Sequence, residues 1–239
     1  MADLGDHSGD RDAADELRRS HPALEIATQR LSGRPAAVLS VEAGEADLLV
    51  LGSRGLSGVM GFLIGSVGMA TISATEQPVV LVRAPKQANE PQPAHTGPYR
   101  DVVVGVDTHQ VSDRVLAFAF DEAALRGCRL RAVHGWSLAP ALSYAPTIDP
   151  GVQGEVGRDV SRALSETLAP WRRKFPSVEV VESALVGAPA EQLVNAAADA
   201  DLVVVGRRSR RAPVGGHIGP VAHGVMHHCV TPVAVIAHD

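Results

Sequence analysis

The sequence predicts an α/β fold: a five-stranded parallel sheet with helices on both faces, built twice in one chain, the first copy incomplete. Three observations carry this. Short β-branched runs alternate with amphipathic stretches, glycine and proline fall at the boundaries between them, and the second half repeats the first at a constant shift.

The repeat is read by moving the chain along itself by 154 residues, which lays Pro22 on Pro176 without a gap. The same shift lays Gly33 on Gly187, Pro35-Ala36 on Pro189-Ala190 and Asp47-Leu48 on Asp201-Leu202. Gly65 then falls on Gly219 and Pro78-Val79 on Pro232-Val233. Glycines and prolines kept in step mark a duplicated domain. Residues 100–154 have no counterpart in the first half. The expected organisation is a partial domain over 1–84 lacking its first two strands, a proline-bearing linker over 85–99, and a complete domain over 100–239.

Composition agrees with a globular chain. Its 239 residues are 45% hydrophobic and 21% charged, with a net charge of −5. Aromatics make up only 3%, so the core has to be built from Ala, Val, Leu and Ile. No basic face is evident, which argues against nucleic acid as a partner. No apolar run reaches the ~18 residues of a membrane helix, and MADLGDHSGDRDAADE has neither signal- nor transit-peptide character. Two cysteines, Cys128 and Cys229, make no disulfide framework, so a reduced, cytoplasmic protein is expected.

In the complete copy Val102–Val106 reads as a buried parallel strand. Ser112 can cap a helix carrying Val115, Phe118, Ala119 and Ala123, which Gly127 ends. Leu130–Trp136 is the second strand, residues 155–174 a helix and Val178–Val181 the third strand. Pro189 opens a helix through Ala198. Leu202–Val205, a helix over Val221–Cys229 and the strand Val233–Ile236 follow. A sheet of this kind binds ligands beyond the carboxyl ends of its strands, which points to Asp107 and Gly206.

The fourth strand of the first copy runs into LGSRGLSGVMGFLIGSVGMA. Gly52, two residues, Gly55, nine residues and then Gly65-Ser66 at a helix start form an anion cradle. Glycines let backbone amides approach phosphate oxygens, and the helix start adds free N–H groups and a hydroxyl. The same glycines could instead serve only close helix–sheet packing. This pattern, with the Asp-Leu-Leu-Val run before it and the Pro-Val-Val-Leu-Val run after it, resembles the ATP-binding universal stress proteins, over nearly the whole chain. The resemblance implies a Rossmann-like fold of the adenine nucleotide alpha hydrolase type, with strand order 3-2-1-4-5. It also implies ATP as ligand, phosphates on Gly52, Gly55, Gly65 and Ser66, an aspartate ending the first strand (Asp107), and a base contact from the second strand (Val133).

The second copy departs from the pattern. Gly206 and Gly219 remain, but Ser209 replaces the second glycine and Pro220 the serine, removing an N–H and a hydroxyl. Arg207-Arg208-Ser209-Arg210-Arg211 reads as a solvated charge run, or as arginines standing in for backbone donors. Asp107, followed by Thr-His-Gln, could instead cap the next helix. The first copy thus keeps the phosphate loop without the adenine side, and the second the reverse.

Losing strands 1 and 2 leaves Leu24–Thr28 without a neighbour and Leu48–Leu51 with an open edge. Three arrangements relieve this: a start upstream of Met1, which is favoured, a slide of Leu24–Thr28 onto Leu48–Leu51, or strands from another chain. The resemblance further implies antiparallel pairing of the last strands, Val79–Val82 with Val233–Ile236, as an internal pseudo-dimer or a homodimer. His223 and His227 are four apart, but no third ligand follows in sequence, so no metal is expected. No nucleophile elbow, Walker lysine or carboxylate pair is present, so no catalytic residue is assigned; weak ATP hydrolysis stays open. The expected function is an adenine-nucleotide-binding stress-response regulator, the alternative a nucleotide-free regulatory or protein-interaction module.

Overall fold

The computed structural model describes residues 8–53, 64–83, 97–137, 150–209 and 218–239. Among them, α1 (Ser8–Ser20), α2 (Pro35–Gly44), β1 (Leu49–Ser53), α3 (Ser66–Ala74) and β2 (Val79–Arg83) come from the first copy. The second gives β3 (Val102–Gly105), α4 (Asp113–Arg126), β4 (Leu130–Trp136), α5 (Pro150–Lys174) and β5 (Val180–Val186). It ends with α6 (Pro189–Ala196), β6 (Leu202–Arg208), α7 (Pro220–His228) and β7 (Val233–His238).

All seven strands form one sheet in the order β1-β2-β7-β6-β3-β4-β5. Its second-copy part has the 3-2-1-4-5 order, every pair parallel. The two parts join where β2 pairs antiparallel with β7: Val79 opposite Val235, Val80 opposite Ala234 and Leu81 opposite Val233. Val80 and Ala234 are equivalent under the repeat, so a local two-fold axis passes between them and makes the junction isologous. The repeat persists in the backbone. Gly33 and Gly187 take positive φ values of 139° and 134°, and Gly65 and Gly219 cap α3 and α7 with nearly the same dihedrals.

Local signals explain the boundaries. Ser112 Oγ accepts from the Val115 N–H to start α4, and Gly127 ends it with φ 61°, a left-handed value that favours glycine. Proline at the first turn opens α2, α6 and α7. One core layer sets Val102, Val104, Leu130 and Ala132 against Phe120 of α4 and Leu164 and Leu168 of α5. The opposite layer sets Val103, Val133, Val203 and Val205 against Leu193 of α6 and Val225 and Met226 of α7, with Ile72 of α3 continuing it. Each fully buried Val, Leu, Ile, Phe or Met among these contributes about 1.5–3 kcal/mol. The scarce aromatics are concentrated: Phe120, Trp171 and Phe175 lie with centroids 5.3–6.3 Å apart between α4 and α5.

The structure corrects three expectations. Leu24–Thr28 is not a strand; its counterpart β5 is held by β4 over seven positions, and among the described residues the first copy has no strand in β4's place. Leu24 is exposed, and the Ile26 carbonyl accepts instead from Arg18 Nη2 at 2.8 Å. The slide onto β1 is therefore not adopted, and among the described residues β1 pairs with β2 alone. The third strand of the second copy begins at Val180, because Val178 is bound in a turn by the Phe175 carbonyl. The helix α1, not foreseen, ends at Ser20 where the repeat places Lys174, the end of α5.

Arg207 is buried, not part of a solvated run. Its Nη2 donates to the Thr75 carbonyl at 2.7 Å, closing the carboxyl end of α3 across the junction. Burial pushes its guanidinium below its ordinary value, and the nearby Glu76 opposes that shift. Arg83 Nη2 donates in turn to the Met226 carbonyl at 3.0 Å. The Pro78 carbonyl faces β1, so by alternation Val79 and Leu81 turn their backbone groups toward β7, and a proline at Leu81 removes a donor of the junction. Leu81→Pro is expected to cost about 3 kcal/mol and to split urea unfolding into two transitions, the first-copy elements leaving first. A single unshifted transition would mean that the junction does not hold the copies together.

Candidate functional site

The carboxyl ends of β3, β4 and β6 open onto a cleft of about 790 Å³. Four expected residues, Asp107, Val133, Gly206 and Gly219, line it together. Asp107 follows β3, where its Oδ1 accepts from the N–H groups of His109 and Gln110 at 3.0 and 3.2 Å. It therefore organises its own turn, and the cap of α4 belongs to Ser112. Its Oδ2 faces the Arg208 guanidinium at 3.9 Å, an ion pair too long for a hydrogen bond.

Val133 is buried and its carbonyl accepts from the Val106 N–H at 2.9 Å. Backbone groups of a strand alternate sides. The next residue of β4 facing the β3 side is Gly135, which lies beyond the last β3–β4 pair and lines the cleft. Gly135 has a packing reason as well: a Cβ there would lie 2.5 Å from the Pro189 Cα at the start of α6. Beside it, buried His134 Nδ1 is 2.8 Å from the Val106 carbonyl, which can only accept, so Nδ1 carries the proton. Trp136 closes the far wall, its indole N–H buried and without a hydrogen-bond partner.

On the other flank Gly206 lies in β6 beyond its last pair with β3, two residues before the strand ends, and His238 of β7 lies over it. A Cβ at Gly206 would come within 2.7 Å of His238 Nε2. Gly219 opens onto free space at the start of α7, and Pro220 occupies the first helical position. Gly135, Trp136 and His238 were not singled out by sequence, and Arg208 only as a member of the arginine run. Gly135 carried a signal, a glycine inside a strand pattern; Arg208 carried one too, in the arginine run.

The remaining expected residues lie elsewhere. Gly52 is the penultimate residue of β1, and Gly65 and Ser66 open α3, where no side chain caps the helix. Because β1 and β2 run opposite to the second-copy strands, these residues lie at the other end of the sheet from the cleft. The two half-sites therefore do not complete one another within the chain. Gly55, like Arg210 and Arg211, lies outside the described residues. Among the described residues no group of three or more metal-ligating side chains occurs, and no helix is long and apolar enough to cross a membrane. His223 and His227 rings lie 4.3 Å apart on α7.

Burial pushes both thiols above their ordinary value, Cys229 against opposing contacts from Thr231 and Cys128 against the backbone of Val102 and Arg126. A raised value leaves less thiolate at a given pH. At pH 8 both should alkylate more slowly than free cysteine, with Cys229 reacting only as the chain unfolds; mass-resolved iodoacetamide labelling checks this. Gly135→Ala is expected to cost about 1–3 kcal/mol by crowding Pro189, read as a lowered urea midpoint.

Comparison with known proteins fits this geometry. The sequence profile of the universal stress protein family matches residues 2–83 and 98–237. A universal stress protein of Mycobacterium tuberculosis is 33% identical over 213 residues, covering 89% of this chain and 69% of the relative. Another from that organism is 33% identical over 225 residues, 92% of this chain and 68% of the relative. The fold matches a universal stress protein of Archaeoglobus fulgidus (TM-score 0.63, 18% identity, 95% of this chain and 74% of that one). It also matches a protein of unknown function from Pseudomonas aeruginosa (TM-score 0.64, 15% identity, 100% and 80%). The chain belongs to the universal stress protein family.

Proposed function

We propose that this chain is an adenine-nucleotide-binding regulator of the stress response, and that its nucleotide site is the second-copy cleft. One observation carries the reading: Asp107, Gly135, Gly206 and Gly219 converge on a single cleft at the carboxyl ends of adjacent strands, where strand order reverses. The volume, about 790 Å³, lies within the range of sites for small ligands. Asp107, exposed and fixed by its own turn, presents acceptors suited to ribose hydroxyls. Beside the cleft Gly135 offers strand backbone for a base edge.

The role proposed is binding: the carboxylate the cleft holds is engaged by backbone amides. ATP is the natural ligand by family, held in the second copy without the serine of the phosphate loop. A second reading, a nucleotide-free interaction module, draws on the first copy, whose sheet leaves Val50 and Val82 exposed. Cytoplasmic residence belongs to either reading.

Titration with a fluorescent ATP analogue separates them. Binding should saturate, and Asp107→Ala should weaken it about tenfold, the scale of a lost charge-assisted hydrogen bond. Absence of binding at millimolar nucleotide would leave the interaction module.

A further inference from the structure

We propose that Arg208 is the phosphate-holding residue of the second-copy cleft, and that this cleft recognises a nucleoside through one phosphate only. The inference rests on the nucleotide reading above and adds what part of the nucleotide is read. Backbone cradles hold polyphosphates through several N–H groups in series. Here that series is broken. Pro220 at the first position of α7 has no N–H, no side chain caps the helix start, and Ser209 stands in place of a loop glycine. Over Gly206, where a glycine would let an oxygen approach the backbone, lies the His238 imidazole.

Against these losses stands one guanidinium. Arg208 is the last residue of β6 and lines the cleft, its side chain about half exposed. Its neighbour Arg207 points into the junction and is bound to Thr75, as alternation along a strand requires. Among the described residues the nearest carboxylate to Arg208 is Asp107 at 3.9 Å, so its donors are not committed. The guanidinium fork matches two oxygens of a single phosphate. Asp107 for the sugar and Arg208 for the first phosphate thus lie side by side in the cleft. Further phosphates would find a helix start that lacks its first donor.

Calorimetric titration of the full chain with adenosine, AMP and ATP tests this. AMP and ATP should bind within about threefold of each other. Arg208→Gln should weaken both about tenfold to a hundredfold and shift adenosine affinity by no more than about twofold, which also reports that the cleft is folded. Arg208→Lys should recover only part of the loss. Pro220→Ser, restoring an N–H and a hydroxyl, should strengthen ATP more than AMP. The proposal is overturned if Arg208→Gln leaves AMP and ATP affinity unaltered, or if the unmodified chain binds ATP more than about thirtyfold tighter than AMP; nucleotide binding itself would then stand. Binding of none of the three ligands would overturn both readings.

Discussion

The pairing of β2 with β7 governs the molecule. It is three residues long in each strand, centred on Val80 and Ala234, and it is antiparallel in a sheet otherwise parallel. Because the paired residues are equivalent under the repeat, the junction is self-complementary, as in a symmetric dimer written into one chain. The reversal of direction has a direct chemical result. Each copy places its ligand-facing strand ends at the opposite end of the common sheet, so the phosphate loop of the first copy cannot serve the cleft of the second. Arg207 and Arg83 fasten the two sides by binding helix-end carbonyls of the opposite copy, where a helix leaves acceptors unsatisfied.

The cleft inherits its character from this arrangement. β6 lies next to β7, and its last two residues divide labour: Arg207 turns into the junction, Arg208 into the cleft. A buried guanidinium requires hydrogen-bonded compensation, and the Thr75 carbonyl supplies it. The Arg208 guanidinium faces the aspartate that follows β3. Charge in the cleft is therefore a consequence of where the strand ends, and the arginine run has structural and ligand-facing members rather than one purpose.

Much of this was legible in the sequence. The β-branched runs at 102–106, 130–136 and 202–205 mark strands because a parallel sheet buried on both faces wants continuous apolarity. Ser112, Gly127 and Pro189 mark boundaries through local backbone chemistry that no tertiary contact overrides. Leu24–Thr28 misled because a strand is defined by its neighbour, and strand-like composition without a ladder partner forms no strand. For the cleft, Asp107, Gly206 and Gly219 were legible because they lie at strand and helix ends. His238 was not, since it reaches Gly206 only through the β6–β7 pairing, a contact that spacing along the chain does not encode. Trp136 and Gly135 hid inside a strand whose last residues outrun its neighbour β3.

The first copy keeps its fourth and fifth strands and the helices on one face, without a nucleotide cleft of its own on the described residues' geometry. What it provides physically is cover. Val233, Ala234, Val235, Ile236 and Ala237 of β7 are each no more than 1% exposed, the burial of a central strand. Without β2 beside it, β7 would be the edge of the second copy, an apolar row with free amides and carbonyls, prone to pairing with other chains. The junction moves that edge outward to β1, where Val50 is 56% exposed. The edge at the other side, β5, is closed by chemistry of its own: Glu182 is paired with Arg172 at 2.7 Å, and Arg172 also reaches the Val180 carbonyl. β1 carries no such charged residue in its Leu49–Ser53 span. The first copy thus protects the strand that borders the cleft and carries the exposed edge in its place.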